Sequence, residues 1–171
     1  EHMVCPYYLG HEIVRWADVV VGDYNYYFDR SAMLYGLTQL NGWRISVLVD
    51  EAHNLYSRAC SMYSADLTAA EAAAVRPELP TALRRAADEV LNQWDLLVLE
   101  ARRSEPVQPW RLLKEVPDGW LRSLQRFNNI VGEYLNDHAT EVQGAWLSFF
   151  FKTLAFATLA EEFGEHSLCE L

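Results

Sequence analysis

Lysine is almost missing from this 171-residue chain: only Lys114 and Lys152 occur, and arginine carries the rest of the positive charge. Acidic residues outnumber basic ones, for a formal net charge of −10. That balance excludes a protein whose whole surface tracks a polyanion, while leaving room for a local basic patch. Cysteine is sparse too. Cys5, Cys60 and Cys169 lie far apart and are odd in number, so they form no disulfide framework and point to a reducing, cytoplasmic setting. No basic region followed by an apolar run marks a secretory signal. The most apolar stretch, Ala145 to Phe151, is too short for a bilayer and is followed by Lys152, so no membrane partner is expected. A Gly-x-x-x-x-Gly-Lys-Ser/Thr phosphate loop is also missing, since neither lysine follows a glycine.

Apolar residues are plentiful. At 51% hydrophobic and 13% aromatic, the chain has the material for a packed core. Two textures meet near residue 60, which predicts two parts, 1–60 and 61–171. In the first, Pro6 opens a short helix over Tyr7 to Trp16. Ala17-Asp18-Val19-Val20-Val21-Gly22 reads as a buried strand. Asp29 is the expected N-cap of a helix through Leu40, stopped by Asn41-Gly42. Ile45 to Asp50 reads as a second strand. Strand, helix, strand at this spacing predicts a parallel crossover, a partial α/β element whose remaining strands lie elsewhere.

The second part is helical in pattern. Thr68-Ala69-Ala70-Glu71 is a capping box, and Pro77 and Pro80 interrupt what it starts. Leu83, Ala87, Val90, Trp94, Leu97 and Ala101 recur in steps of three and four. A polar turn, Ser104 to Gln108, follows. Trp120, Leu124, Phe127, Val131 and Tyr134 form a second stripe. Val142, Trp146, Phe149, Phe150 and Ala157 form a third, ending before Gly164. The expected fold is therefore mainly α: a helical bundle attached to a two-strand parallel fragment.

The residues with the clearest chemistry are Asp50-Glu51-Ala52-His53, directly after Val47-Leu48-Val49. A parallel strand delivers its last side chains to the sheet edge where nucleotides bind in α/β folds. An aspartate there can hold Mg²⁺ on nucleotide phosphates, and the next glutamate can polarise the attacking water. His53 can sense the γ-phosphate. The competing reading makes Asp50 or Glu51 a plain helix cap. Tyr24 and Tyr26 are candidates for stacking on bases of single-stranded DNA. Arg84, Arg85, Arg102 and Arg103 are candidates for phosphate contacts, against the alternative of solvated arginines paired with acids such as Glu89. Cys5 with His11 gives only two metal ligands, too few for a structural site.

Asp50-Glu51-Ala52-His53-Asn54-Leu55 resembles motif II, the DEAH box, of superfamily 2 DNA helicases of the iron–sulfur, DinG/XPD-like group. Cys5-Pro6-Tyr7-Tyr8 resembles the last cluster cysteine of that group, and residues 17–27 resemble the strand and loop between cluster and motif II. The resemblance implies that 1–60 is part of motor domain 1 and that 61–171 is the helical arch domain inserted after motif II. It implies ATP, Mg²⁺ and a 4Fe-4S cluster as cofactors of the intact enzyme, with none retained by this piece alone. It also implies single-stranded or forked DNA as partner and a role in DNA repair. Asp50 would be the metal residue, Glu51 and His53 the catalytic ones, and Cys5 a cluster ligand. Without a phosphate loop the piece is expected to be inactive. The alternative is a non-enzymatic helical module that binds protein partners.

Overall fold

A computed structural model of the chain describes residues 5–29, 32–103, 110–138 and 144–171. It divides into two compact units, Glu1–Met62 and Tyr63–Leu171. The described secondary structure is mainly α.

In the first unit, α1 (Pro6–Val14) follows an extended Cys5, with proline at the first helical turn, where its missing N–H costs nothing. Next come the single turn α2 (Asn25–Phe28) and α3 (Met33–Leu40). Asp29 does not cap α3. It closes α2, donating its N–H to Asn25 O at 3.1 Å, and Ala32 takes the N-cap position of α3. The stop at Asn41-Gly42 is as expected, and its bonds explain it. Gly42, at φ +60°, donates to Gln39 O, and Trp43 donates to Thr38 O, so two orphan carbonyls are satisfied through a left-handed residue. A 3-10 turn, Ala52–Asn54, then leads into α4 (Leu55–Met62).

The strands expected over 17–22 and 45–50 do not form; neither segment has a ladder among the described residues. A parallel pair needs cover on both faces, and two strands alone cannot supply it. Val21 is accordingly 94% exposed and Leu48 96%. The one sheet among the described residues lies in the other unit and is antiparallel. There β1 (Leu112–Leu113) pairs with β2 (Cys169–Glu170), and Arg111 and Leu171 exchange backbone bonds of 2.8 and 2.9 Å beyond it.

The second unit opens with the full capping box. Thr68 Oγ1 accepts from Glu71 N at 3.1 Å, and Glu71 Oε2 accepts from Thr68 N at 3.2 Å. This starts α5 (Ala69–Val75), which Pro77 turns into a 3-10 segment, Arg76–Glu78. Three long helices follow: α6 (Thr81–Arg103), α7 (Asp118–Asp137) and α8 (Ala145–Glu161). The three stripes read from the sequence are the core. Leu83, Ala87, Val90 and Trp94 of α6 meet Trp120, Leu124, Phe127 and Val131 of α7, with Trp146, Phe149, Phe150 and Ala157 of α8. Val142 and the Ser104–Gln108 turn lie outside the described residues. Trp120 packs edge-on against Trp94 and Phe156, with ring centroids 5.0 and 5.1 Å away. One polar pair sits inside this seam. Asn128 Nδ2 donates to Thr153 O at 3.2 Å, and the Thr153 hydroxyl lies 2.6 Å from Asn128 Oδ1.

Two ion pairs tie α5 and its following turn to the long helices. Arg76 clasps Asp88 through two bonds, Nε to Oδ1 at 2.8 Å and Nη2 to Oδ2 at 2.9 Å. Lys152 reaches Glu71 Oε1 at 2.6 Å. The hydrogen bond from Arg76 holds the Asp88 carboxyl below its usual range, and that from Lys152 does the same to Glu71. A carboxylate depressed in the folded state stabilises above its unfolded pKa, and the contribution fades as pH falls through the folded value. The reference values are 3.8 for Asp88 and 4.5 for Glu71. Asp88→Asn and Glu71→Gln are therefore expected to lower the urea midpoint at pH 7. Their deficit relative to wild type should shrink steadily below about pH 4. A deficit independent of pH would show that the charges contribute nothing to the fold.

Candidate nucleotide-binding loop

The loop at residues 50–54 is built from short local bonds. Asp50 Oδ1 accepts the backbone N–H of Glu51 at 2.9 Å. Glu51 O accepts from Asn54 N at 2.9 Å, closing the 3-10 turn. Glu51 itself is left-handed, at φ 51° and ψ 38°, and is the one non-glycine residue described with positive φ. Such a conformation is disfavoured for a glutamate and persists where surrounding bonds hold it. Two bonds do so here: its N–H donates to Asp50 Oδ1, and its carbonyl accepts from Asn54 N. The result is a turn between the apolar segment and α4. Glu51 Oε2 comes 3.3 Å from His53 Nε2, with both side chains largely exposed. Asp50, Glu51 and His53 thus lie on one solvent-facing turn, with Glu51 beside His53 and Asp50 Oδ1 bonded to the backbone of Glu51.

The other sequence candidates are placed differently. Tyr24 is half-buried at the start of α2, and the Arg58 guanidinium of α4 lies over its ring, 5.9 Å from the centroid. Sequence reasoning had no signal for Arg58, because the contact joins residues far apart in the chain. Tyr26 is half-exposed and stacks on Tyr7 at 6.3 Å. His11 is buried against Tyr7, its ring 4.4 Å away, with Nδ1 2.8 Å from Tyr7 O. That bond engages one ring nitrogen of the Cys5–His11 pair. Cys5 is exposed just before α1. Among the described residues no three His, Cys, Asp or Glu side chains are grouped to hold a metal. Burial pushes the Cys169 thiol up, which leaves it a poor thiolate.

The arginines do not form one patch. Arg84 folds back to cap the preceding turn, donating to Leu79 O and Pro77 O at 3.0 Å each. Arg85 is exposed and 3.9 Å from Glu89, which also meets Arg126 at 3.4 Å. Arg102 and Arg103 fall in the last turn of α6. Five helical turns, about 27 Å, separate them from Arg84 and Arg85. Asp88 and Asp95 lie along the face between Arg84 and Arg102.

Residues 1–71 match the DEAD_2 family, a span that holds Cys5, Tyr24, Tyr26 and the whole 50–54 loop. The chain is 37% identical over 68 residues to "Regulator of telomere elongation helicase 1" of Homo sapiens and to that of Rattus norvegicus. Against the Bos taurus protein the identity is 38% over 69 residues. Each match covers 40% of this chain and 5% of the relative. No solved structure matches the chain. The first part of the chain is thus similar to helicases, and the α6 arginines lie outside the DEAD_2 match.

The left-handed geometry of Glu51 is directly testable. Glu51→Asn, a residue that tolerates this region, is expected to preserve the backbone chemical shifts of residues 52–54. Glu51→Val, β-branched, should displace them and weaken the turn by about 1 to 2 kcal/mol. Equal spectra for the two variants would mean that residue 51 is not left-handed.

Proposed function

We propose that this chain is part of an ATP-dependent superfamily 2 DNA helicase of the iron–sulfur, DinG/XPD-like kind. Residues 1–60 then belong to motor domain 1 and residues 61–171 form the arch domain. The observation that carries this reading is the Asp50–Glu51–His53 turn, exposed after an apolar segment and inside the span similar to helicases. In the intact enzyme ATP is the substrate, and Asp50 would hold a Mg²⁺ ion through its water shell, which would supply charge neutralisation at the phosphates. Glu51 orients the attacking water and takes its proton. His53, 3.3 Å from Glu51, fixes that carboxylate and links it to the turn behind. Single-stranded DNA is the polymer acted on, with Tyr24 and Tyr26 as stacking candidates.

The apolar segments 17–22 and 45–50 become strands on this reading once the rest of a motor-domain sheet covers them. Their exposed Val21 and Leu48 support that expectation. A 4Fe-4S cluster takes four thiolates. Of these the chain offers Cys5; Cys60 is exposed on α4 and Cys169 belongs to the other unit. The residues present do not complete such a site. A role for residues 61–171 in binding protein partners is favoured by Phe151 and Leu168, 59% and 82% exposed.

Two substitutions in the full-length protein separate chemistry from packing. Glu51→Gln keeps the shape of an exposed side chain and removes the base, so ATP hydrolysis should vanish with the melting temperature unchanged. Trp146→Ala empties a side chain that is 4% exposed. It should cost about 3 to 5 kcal/mol of stability and leave the nucleotide loop intact. If Glu51→Gln melts as early as Trp146→Ala, or hydrolyses ATP normally, Glu51 is a structural cap and the helicase reading fails.

A further inference from the structure

We infer that Arg58 is a positioning residue that ties the nucleotide loop to the aromatic loop of the same unit. The inference rests on the function proposed above and adds to it a residue and a route. Three observations carry it. First, α4 continues the 50–54 turn without a break. Asn54 N bonds back to Glu51 O, and Ser57 Oγ bonds to Asn54 O at 3.0 Å, so Glu51, His53 and Arg58 belong to one continuous element. Second, Arg58 presents its guanidinium to the Tyr24 ring at 5.9 Å, a cation–π distance. Third, Tyr24 anchors α2. Its carbonyl accepts the N–H groups of Tyr27 and Phe28 at 3.1 and 2.9 Å, and α2 carries Tyr26 onto Tyr7 and His11.

The joint of this device is Glu51. A left-handed glutamate is a conformation that a bound cation or phosphate can trade for another, because its alternatives are intrinsically better populated. When the loop resets, α4 moves with it and Arg58 shifts on the Tyr24 face. The position of α2, and with it the orientation of Tyr24 and Tyr26, then depends on what occupies Asp50 and Glu51. Arg58 touches neither nucleotide nor DNA in this scheme. It acts through the tyrosine, so the coupling should appear in the response of hydrolysis to DNA and not in basal hydrolysis.

The experiment uses the full-length protein, with steady-state ATP hydrolysis measured with and without single-stranded oligonucleotide. Arg58→Ala should keep basal hydrolysis and the wild-type melting curve while the stimulation by DNA falls about threefold, the scale of an exposed cation–π contact. Arg58→Lys retains a cation and should recover most of the stimulation. Tyr24→Phe retains the ring face that Arg58 covers and should keep most of the stimulation. In the Arg58→Ala/Tyr24→Leu double variant, loss of Arg58 should add little to the Tyr24→Leu defect, as expected for two residues sharing one contact. Full stimulation in Arg58→Ala overturns the inference. So does additive loss in the double variant, or a fall in basal hydrolysis, which would put Arg58 in the nucleotide site. A wild-type protein without ATP hydrolysis is a different failure, because it removes the proposed function itself.

Discussion

Burial of the α7 stripe is the constraint on which the second unit depends. Leu124 and Val131 are fully inaccessible and Phe127 nearly so, because α6 covers one side of them and α8 the other. In a protein, packing of a helix's apolar face supplies most of its stability, and intrinsic propensity little. The seam also sets its own register. Asn128 and Thr153 are buried on facing helices; the Thr153 hydroxyl also reaches Phe150 O of its own helix at 2.7 Å, whereas the Asn128 amide finds its partners on Thr153 and without them would leave an unpaired polar group, which costs about 1 to 3 kcal/mol. Sliding α8 by one residue along α7 would keep apolar contact and lose this pair. The polar pair thus selects one alignment from several that the aliphatic side chains would tolerate.

Most of this unit is legible in the sequence because its signals are local and redundant. The spacing of Leu83, Ala87, Val90 and Trp94 already defines a face, and the Thr68–Glu71 box already defines a helix start. Arg76 with Asp88, and Lys152 with Glu71, could not be read in that way. They join residues 12 and 81 positions apart, and nothing in a helical period selects a partner at such a distance. Arg84 shows the same limit from the other side. Its place beside Arg85 suggests a basic patch, yet its guanidinium is engaged by the carbonyls of Pro77 and Leu79. A charge in the sequence states only that a charge exists; where its hydrogen bonds go is decided by the turn beside it.

The first unit fails in the opposite direction. Val19-Val20-Val21 and Ile45 to Val49 carry strong strand signals, and the expectation of strands there follows from composition and β-branching. Strand propensity, however, is a propensity to fit a pleated, covered surface, and it has no outlet without neighbours. By contrast, the helix stop at Asn41-Gly42 appears as expected, since its bonds are local and close within six residues. The line between what was legible and what was not therefore falls between interactions that close locally and those that need distant chain. The Asp50–Glu51–His53 turn is held by bonds that span no more than three residues, so it forms in the absence of a sheet, but the left-handed backbone at Glu51 was not legible in the sequence.

Charge gives that turn its chemical direction. The chain is strongly acidic, and the turn adds two adjacent carboxylates with one imidazole beside them. A nucleoside triphosphate is itself a polyanion, so on the proposed reading it cannot approach Asp50 and Glu51 unaccompanied; like charges at contact distance repel. A divalent cation reverses the sign of the encounter and makes both carboxylates attractive. On that reading the two acids would divide their labour, Asp50 holding the cation and Glu51 staying free to take a proton. Glu51 is the one suited to remain free. Its backbone is left-handed and its carboxylate lies beside His53, while Asp50 Oδ1 accepts the Glu51 backbone N–H. On the proposed reading the left-handed turn gives two neighbouring acids different surroundings, which is what a metal-assisted hydrolysis of ATP would require of them.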